Sequence, residues 1–171
     1  MIYDDFDRTK IENIKLHVES NADKIQDIVT EITYPYVKDL DAYVTFIKNI
    51  LQDGENPPTA HELEDFCMNL STNIYFAGGM QEQMGIRDDI SKAVYKEMYN
   101  SSRDSLNSGT IADKNSLAEL ASQQEYIVSV CYARAYKIVK AKVEAAQEIL
   151  ASCKKVLSRR VAEMELTRIV P

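Results

Sequence analysis

The chain has 171 residues, of which 45% are hydrophobic and 27% are charged, and it contains only five glycines and four prolines. This length and composition fit a folded, mostly helical protein of domain size. The formal net charge of −7 argues against wholesale nonspecific binding to nucleic acid.

The charge is unevenly distributed along the chain. Residues 1–110 hold ten Lys/Arg and twenty Asp/Glu, whereas residues 111–171 hold ten and seven. The first part therefore carries −10 and the second part +3. Two explanations stay open: opposite charges face each other across solvated helix edges, or the second part contains a local basic site.

The cysteines, the start of the chain and the hydropathy indicate a cytoplasmic protein. Cys67, Cys131 and Cys153 are odd in number, form no CxxC and fall on apolar helical positions, which predicts buried free thiols in a reducing compartment. The acidic, polar start argues against a signal peptide. No apolar run approaches the about 20 residues that span a membrane, so no membrane partner is expected.

The first part of the chain predicts several short helical segments. Residues 1–19 favour a short amphipathic helix over a strand. Ser20 and Asn21 are candidate caps of a second segment. Pro35 is expected to stop or kink that segment, and the apolar pattern resumes over residues 36–52.

A linker follows these segments. Asp53 and Gly54 are typical of a C-cap, and residues 55–58 are typical of a connection between domains. The sequence therefore predicts a small N-terminal helical appendage over residues 1–58 and a second unit over residues 59–171.

Thr59 and Glu62 form a predicted capping box that opens a first helical rod over residues 59–107. Gly78 and Gly79 interrupt this rod, because two glycines inside a helix cost about 2 kcal/mol relative to two alanines. They mark either a kink or a close crossing by another helix, or else a hinge or a backbone surface for a ligand. Beyond them the apolar stripe continues through Ile90, Val94 and Met98.

A second rod follows after a short turn. Gly109 is a predicted C′ residue, and Thr110 with Asp113 resembles a second capping box. Residues 110–168 contain no Gly or Pro and predict one uninterrupted helix. Because short connections make antiparallel neighbours, the two rods predict an all-α fold with a long, coiled-coil-like helical hairpin.

Apolar residues recur every eleven residues along the second rod, which indicates a nearly straight or slightly right-handed seam. One row contains Leu117, Val128, Val139, Leu150 and Val161. A second contains Leu120, Cys131, Cys153 and Met164, with Lys142 as an interruption, and a third includes Ala135, Ala146 and Leu157. This stripe is wider than one partner helix covers, which predicts a homo-oligomer. The rival explanation is that the N-terminal helices cover the stripe within one chain.

The sequence contains no motif typical of an enzyme. A nucleophile elbow, an HExxH pair, a Walker loop and a dinucleotide fingerprint are all missing from it. Its two histidines have no spacing suited to a metal ion. We therefore expect no catalytic residue, no metal site and no cofactor.

One charge constellation lies in the second rod. Between residues 126 and 160 there are eight basic residues against Glu144 and Glu148, with Tyr126, Tyr132 and Tyr136 among them. Cations beside aromatic rings are typical of surfaces that bind single-stranded nucleic acid. The candidate residues are Arg134, Lys137, Lys140, Lys154, Lys155, Arg159 and Arg160. Alternatively, the cations neutralise the acidic first rod and the tyrosines pack in the seam.

The chain combines the two-rod layout, Tyr95 and Tyr99 before a polar loop, and the ending EILASCKKVLSRRVAEMEL at residues 148–166. Over about residues 60–171 this combination resembles the phage recombination mediators of the UvsY-like family and related phage helical-hairpin proteins. The resemblance implies a non-enzymatic oligomeric ring former, in the host cytoplasm, that binds single-stranded DNA and helps to load a recombinase onto it. The acidic charge and residues 1–58 depart from that pattern. A second hypothesis is an oligomeric scaffold, inhibitor or assembly factor that binds another protein.

Overall fold

The protein consists of four helices in the computed structural model, which describes residues 8–52 and 57–169. They are α1, Arg8–Gln52; α2, Ala60–Ser105; α3, Ile111–Ala121; and α4, Gln123–Ile169. No strand occurs within the described ranges, and the predicted all-α class is confirmed.

Both predicted capping boxes are present. Thr59 Oγ1 accepts from the N–H of Glu62 at 3.2 Å, while the N–H of Thr59 donates to Glu62 Oε2 at 2.7 Å. Thr110 and Asp113 make the same two bonds at 3.2 and 3.1 Å. These bonds use backbone N–H groups that have no partner inside the helix. α2 and α3 therefore begin immediately after their threonines.

The turn between α2 and α3 differs from the prediction in detail. α2 ends at Ser105 and is capped by Leu106 in an extended conformation, so Gly109 is not its C′ residue. Gly109 instead has a φ of +106°, a backbone conformation that residues with a Cβ atom rarely adopt. This glycine directs the chain into the cap of α3.

Gly78 and Gly79 do not interrupt α2, and none of the described helices crosses there. A Cβ atom added at either glycine would meet nothing within 4 Å. The close approach lies at Gly85, where an added Cβ would be 3.4 Å from Cε2 of Tyr136 on α4. The role of Gly78 and Gly79 as a hinge stays a prediction.

The prediction of one uninterrupted helix over residues 110–168 is wrong at Ser122, which separates α3 from α4. Its backbone has a φ of −104° and a ψ of 15°. The hydroxyl of Ser122 donates to the carbonyl oxygen of Ala118 at 2.8 Å, and the backbone N–H of Ser122 donates to the same oxygen at 3.0 Å. A serine hydroxyl that shares the carbonyl four residues back tends to bend a helix.

α1 is one helix of 45 residues, which corrects the expected series of short segments. It begins at Arg8, has no boundary at Ser20 or Asn21, and continues through Pro35. Proline deprives the carbonyl of Glu31 of its helical partner. Glu31 is exposed, so water can bond this carbonyl instead.

The predicted C-cap at Asp53 and Gly54, and residues 55–56 of the linker, lie outside the described residues. Residues 57–59 connect to α2 without helix. The domain boundary at residue 58 stays a prediction, although α1 packs along the other long helices.

Two cores join α1, α2 and α4. The first core includes Leu40 and Ile47 of α1, Leu63 and Leu70 of α2, and Ala146 and Cys153 of α4. The second core contains Val29 and Val37 of α1, Met84 of α2, and Cys131, Ala135 and Val139 of α4. The start of α2 thus meets the later parts of α1 and α4. It follows that α2 runs antiparallel to both, and α2 with α4 forms the predicted hairpin.

The eleven-residue seam is buried only in the middle of α4. There, five of its residues are at most 3% exposed: Cys131, Ala135, Val139, Ala146 and Cys153. Lys142, the interruption, pairs with Asp41 of α1. The members at both ends are exposed: Leu117, Leu120, Val128, Val161 and Met164.

The three thiols are buried and free, as predicted. Burial raises the pKa of Cys67, Cys131 and Cys153. Among the described helices, none is both long and apolar enough to cross a membrane.

Candidate interaction surfaces

Four of the predicted nucleic-acid-binding residues share one side of α4. At 3.6 residues per turn, Arg134, Lys137, Lys155 and Arg159 project within an arc of about 60°. All four are exposed and point away from the two cores. These four residues are called the basic face below.

The other three candidates lie elsewhere. Lys140 is exposed beside the basic face and pairs with Glu144 at 3.9 Å. Lys154 is exposed and lies close enough to Cys67 of α2 to act on its thiol electrostatically. Arg160 is half-buried and borders a small cavity with Pro57 and Pro58 before α2. The seven predicted residues therefore do not form one surface.

Part of the basic face is already neutralised. Arg159 Nε donates to Glu163 Oε1 at 2.9 Å on the same helix. Arg134, Lys137 and Lys155 have no ion pair with any described residue. Three cations over this length make a weaker field than the sequence indicated.

The tyrosines among these cations belong mainly to the core. Tyr132 and Tyr136 are half-buried and pack against the second core. Tyr126 is exposed, and its ring centroid lies 5.4 Å from that of Tyr95 on α2. For Tyr132 and Tyr136 the alternative prediction, packing in the seam, is the correct one.

An apolar groove between α2 and α4 was not predicted. Its cavity has a volume of about 410 Å³. The apolar part of its wall comes from Ile90 and Val94 of α2 and from Val128 and Tyr132 of α4. Its polar rim comes from Arg87, Ser91, Gln124 and Glu125. These eight residues are called the groove below.

The groove arises because the apolar pattern of α2 leaves the core after Met84. Ile90 is 57% exposed and Val94 is 48% exposed, although both continue the predicted stripe. The positions that face the core are taken by Asp88 and Ser91, both buried. The sequence feature that indicates this change of face is the four-residue spacing of Ile86, Ile90 and Val94. On a helix of 3.6 residues per turn, apolar residues at this spacing move steadily around the helix and away from the core.

Buried carboxylates lie beside and within the groove. The side chain of Asp88 is only 9% exposed, and its Oδ2 accepts from Lys92 Nζ at 2.7 Å, which raises the pKa of Lys92. Asp88 Oδ1 and Glu125 Oε2 are buried without a partner among the described residues. Such oxygens are costly to leave unpaired, so they favour a ligand that donates hydrogen bonds.

The first half of α1 is not covered by any of the described residues. Every residue from 9 to 24 is exposed. Ile11, Ile14 and Val18 continue, at helical spacing, the face that Ile25 and Val29 pack against the second core. Ile11, Ile14 and Val18 are called the α1 stripe below.

The groove borders the surface on which α1 packs. Arg87 forms one end of the groove, and its guanidinium lies 5.5 Å from the ring centroid of Tyr36 on α1. Tyr132 both lines the groove and packs against the second core, so the two surfaces adjoin.

No group of three His, Cys, Asp or Glu side chains is arranged to hold a metal ion in the part of the chain that the structure describes. Comparison with known proteins gives no match to a protein-family model, a curated protein or a solved structure.

Proposed function

We propose that this protein is a non-enzymatic binding protein that holds an amphipathic helix in the groove between α2 and α4. The observation that supports this function is the groove itself, with apolar walls on α2 and α4 and, at its edge, the buried oxygen Glu125 Oε2 without a partner among the described residues. Docking of an amphipathic helix into an apolar groove is a common mode of protein recognition.

A helix is the ligand that fits because the neighbouring part of the same surface already holds one. There, Val29 and Val37 of α1 pack against Met84, Cys131 and Ala135. Ile90 and Val128 extend that surface by further turns of α2 and α4. A ligand helix with apolar residues three and four positions apart would make the same kind of contact.

The polar rim defines the remaining chemistry of the ligand. Glu125 Oε2 is a buried acceptor without a partner among the described residues. A ligand helix that carries a lysine, arginine or asparagine beside its apolar stripe would satisfy this oxygen.

The test uses a fluorescein-labelled peptide with the sequence of residues 9–25 as an amphipathic probe, added to the full-length protein. Fluorescence anisotropy should show micromolar binding. The double variant Val94→Glu, Val128→Glu should weaken binding by at least about tenfold, because two charges enter apolar contacts.

Ile86→Glu is the matched control, since Ile86 is exposed on α2 outside the groove. It should bind the peptide as the wild type does. Circular dichroism should give the same helicity for all three proteins. Equal binding by the wild type and the double variant would reject the groove as the binding site.

We propose a second candidate function, binding of single-stranded DNA along α4, on a separate observation. Arg134, Lys137 and Lys155 are exposed on one side and have no ion pair with described residues. If DNA binds, the role implied by the resemblance to UvsY-like mediators, loading of a recombinase, follows as part of this proposal. Glu144 and Glu148 on the same side predict weak binding.

An oligothymidine of about 16 nucleotides at low salt tests this candidate. Wild-type binding should weaken by about 0.7 log units per log unit of salt for each phosphate neutralised. Serine at Arg134, Lys137 and Lys155 should reduce both the affinity and this slope. A charge-matched control replaces Lys15, Lys24 and Lys48 of α1, all exposed. Equal losses in both triple variants would indicate a net-charge effect and remove this candidate.

A further inference from the structure

We propose that the helix held in the groove is the first half of α1 from a second copy of this chain, exchanged reciprocally in a two-fold dimer. This inference rests on the proposed function and names its partner. Each copy would supply one groove and one α1 stripe, so the interface is self-complementary, as two-fold symmetry requires.

Two matching apolar surfaces continue beyond the contacts that hold α1 in the second core. On α1, the face that Val29 presents to the second core continues into the α1 stripe. On the hairpin, the surface that receives Val29 continues into the groove. The uncovered parts therefore carry the same apolar pattern as the parts that already pack together.

α1 of the same chain leaves its own groove open. Arg87 at the end of the groove touches Tyr36, yet all residues from 9 to 24 are exposed. None of the residues that line the groove belongs to α1, so the same chain leaves it uncovered. A second copy can cover it while α1 keeps its own contacts with the second core.

Each copy has two uncovered surfaces, the α1 stripe and the groove. A two-fold dimer therefore makes two contacts, whereas a bound peptide makes one. The buried area grows with the number of contacts, which favours exchange between two copies over one isolated peptide.

The charges agree with this pairing. Lys15 lies at the edge of the α1 stripe, and its pair with Glu19 at 3.6 Å is solvent-exposed and therefore weak. Glu125 offers a buried oxygen without a partner at the edge of the groove. Lys15 of one copy can donate to Glu125 of the other.

The experiment measures the mass of the full-length protein by sedimentation equilibrium at micromolar to submillimolar concentrations. The wild type should approach twice the chain mass of 19.4 kDa. The stripe variant Ile14→Glu, Val18→Glu and the groove variant Val94→Glu, Val128→Glu should each dissociate into monomers. Leu16→Glu is the control, because Leu16 is exposed on the opposite side of α1, and it should stay dimeric.

Mixing the two variants gives the sharpest result. A mixed dimer keeps one intact contact, between the stripe of the groove variant and the groove of the stripe variant. The mixture should therefore contain dimer, weaker than the wild type, that neither variant forms alone. If the same surface of each copy met in the dimer, mixing the two variants would not restore dimer formation.

Two outcomes overturn the inference. One is a wild-type monomer at all concentrations; the other is a dimer that persists in the groove variant. If the monomeric wild type still binds the helical peptide through the groove, the proposed function stands and only the second copy is rejected. If neither the mass nor peptide binding depends on the groove, both proposals fail.

Discussion

At the scale of single residues, three glycines have different structural roles because their backbone conformations and neighbours differ. Gly79 lies on an exposed part of α2 with open space around it. Gly109 has a φ of +106°, and Gly85 lies against Tyr136. The sequence marks all three as helix breakers, but only Gly109 lies outside a helix, in the turn between α2 and α3.

These glycines give a paired prediction. Gly79→Ala should raise the free energy of unfolding by about 1 kcal/mol, because alanine loses less backbone entropy in a helix. Gly109→Ala should lower it by about 1–2 kcal/mol, since its φ disfavours a Cβ. Urea unfolding at fixed temperature measures both changes. A destabilised Gly79→Ala would mean that α2 needs the glycine for an approach not seen in this structure.

Val139 and Lys142 are neighbouring seam positions that should differ in their tolerance to substitution. Val139 is fully buried, so Val139→Asp should cost about 3–5 kcal/mol by burying an unpaired carboxylate. The pair of Lys142 with Asp41 is 38% and 44% exposed, so Lys142→Leu should stay within about 1 kcal/mol of the wild type. Thermal unfolding followed by circular dichroism compares them, and equal losses would contradict this register.

At the scale of elements, helix ends follow side-chain hydrogen bonds more than residue propensity. α1 passes through Pro35, and α2 passes through two glycines. The second rod breaks at Ser122, which has neither residue type in its vicinity. α2 and α3 begin where threonine caps them, so the caps have a measurable share in stability.

The caps predict a dependence on pH. Hydrogen bonds from the backbone and hydroxyl of Thr59 lower the pKa of Glu62 below 4.5, and those from Thr110 lower the pKa of Asp113 below 3.8. Because the folded-state values lie below the unfolded ones, this stabilisation is present above about pH 4.5 and is lost as the pH falls through the folded values.

The variant Glu62→Gln, Asp113→Asn tests this dependence. Its melting temperature should fall less than that of the wild type between about pH 6 and pH 3. A control with Glu64→Gln and Glu119→Gln, both exposed and outside the boxes, should keep the wild-type slope. Parallel pH profiles for all three proteins would show that the boxes do not contribute.

At the scale of the whole molecule, α1 divides into a covered and an uncovered half. Residues 9–24 are exposed, while Val29, Val37, Leu40 and Ile47 lie in the cores. Among described residues, the pair that joins two different helices is Lys142 with Asp41. Direct pairing therefore neutralises little of the charge asymmetry, and apolar burial holds the three long helices together.

Truncation separates the two halves. Removing residues 1–24 should leave the melting temperature of the dilute monomer nearly unchanged. Removing residues 1–47 should unfold the chain, because burial of four large side chains contributes about 6–12 kcal/mol, comparable with the stability of a whole domain. Scanning calorimetry distinguishes these results, and a large loss on removing only residues 1–24 would show that they cover the monomer.

The sequence by itself determined the all-α class, both capping boxes, the buried thiols and the antiparallel hairpin. Each of these depends on bonds or apolar spacing within a few residues, which the chain carries locally. Tertiary structure decided how much of the seam is covered, because coverage depends on where α1 lies. It also decided that Ile90 and Val94 line a groove while Asp88 faces the core, since a four-residue apolar spacing drifts off the buried face of α2. The seven candidate cations were separated for the same reason: their directions around α4 and their neighbours on other helices are fixed only when the helices pack.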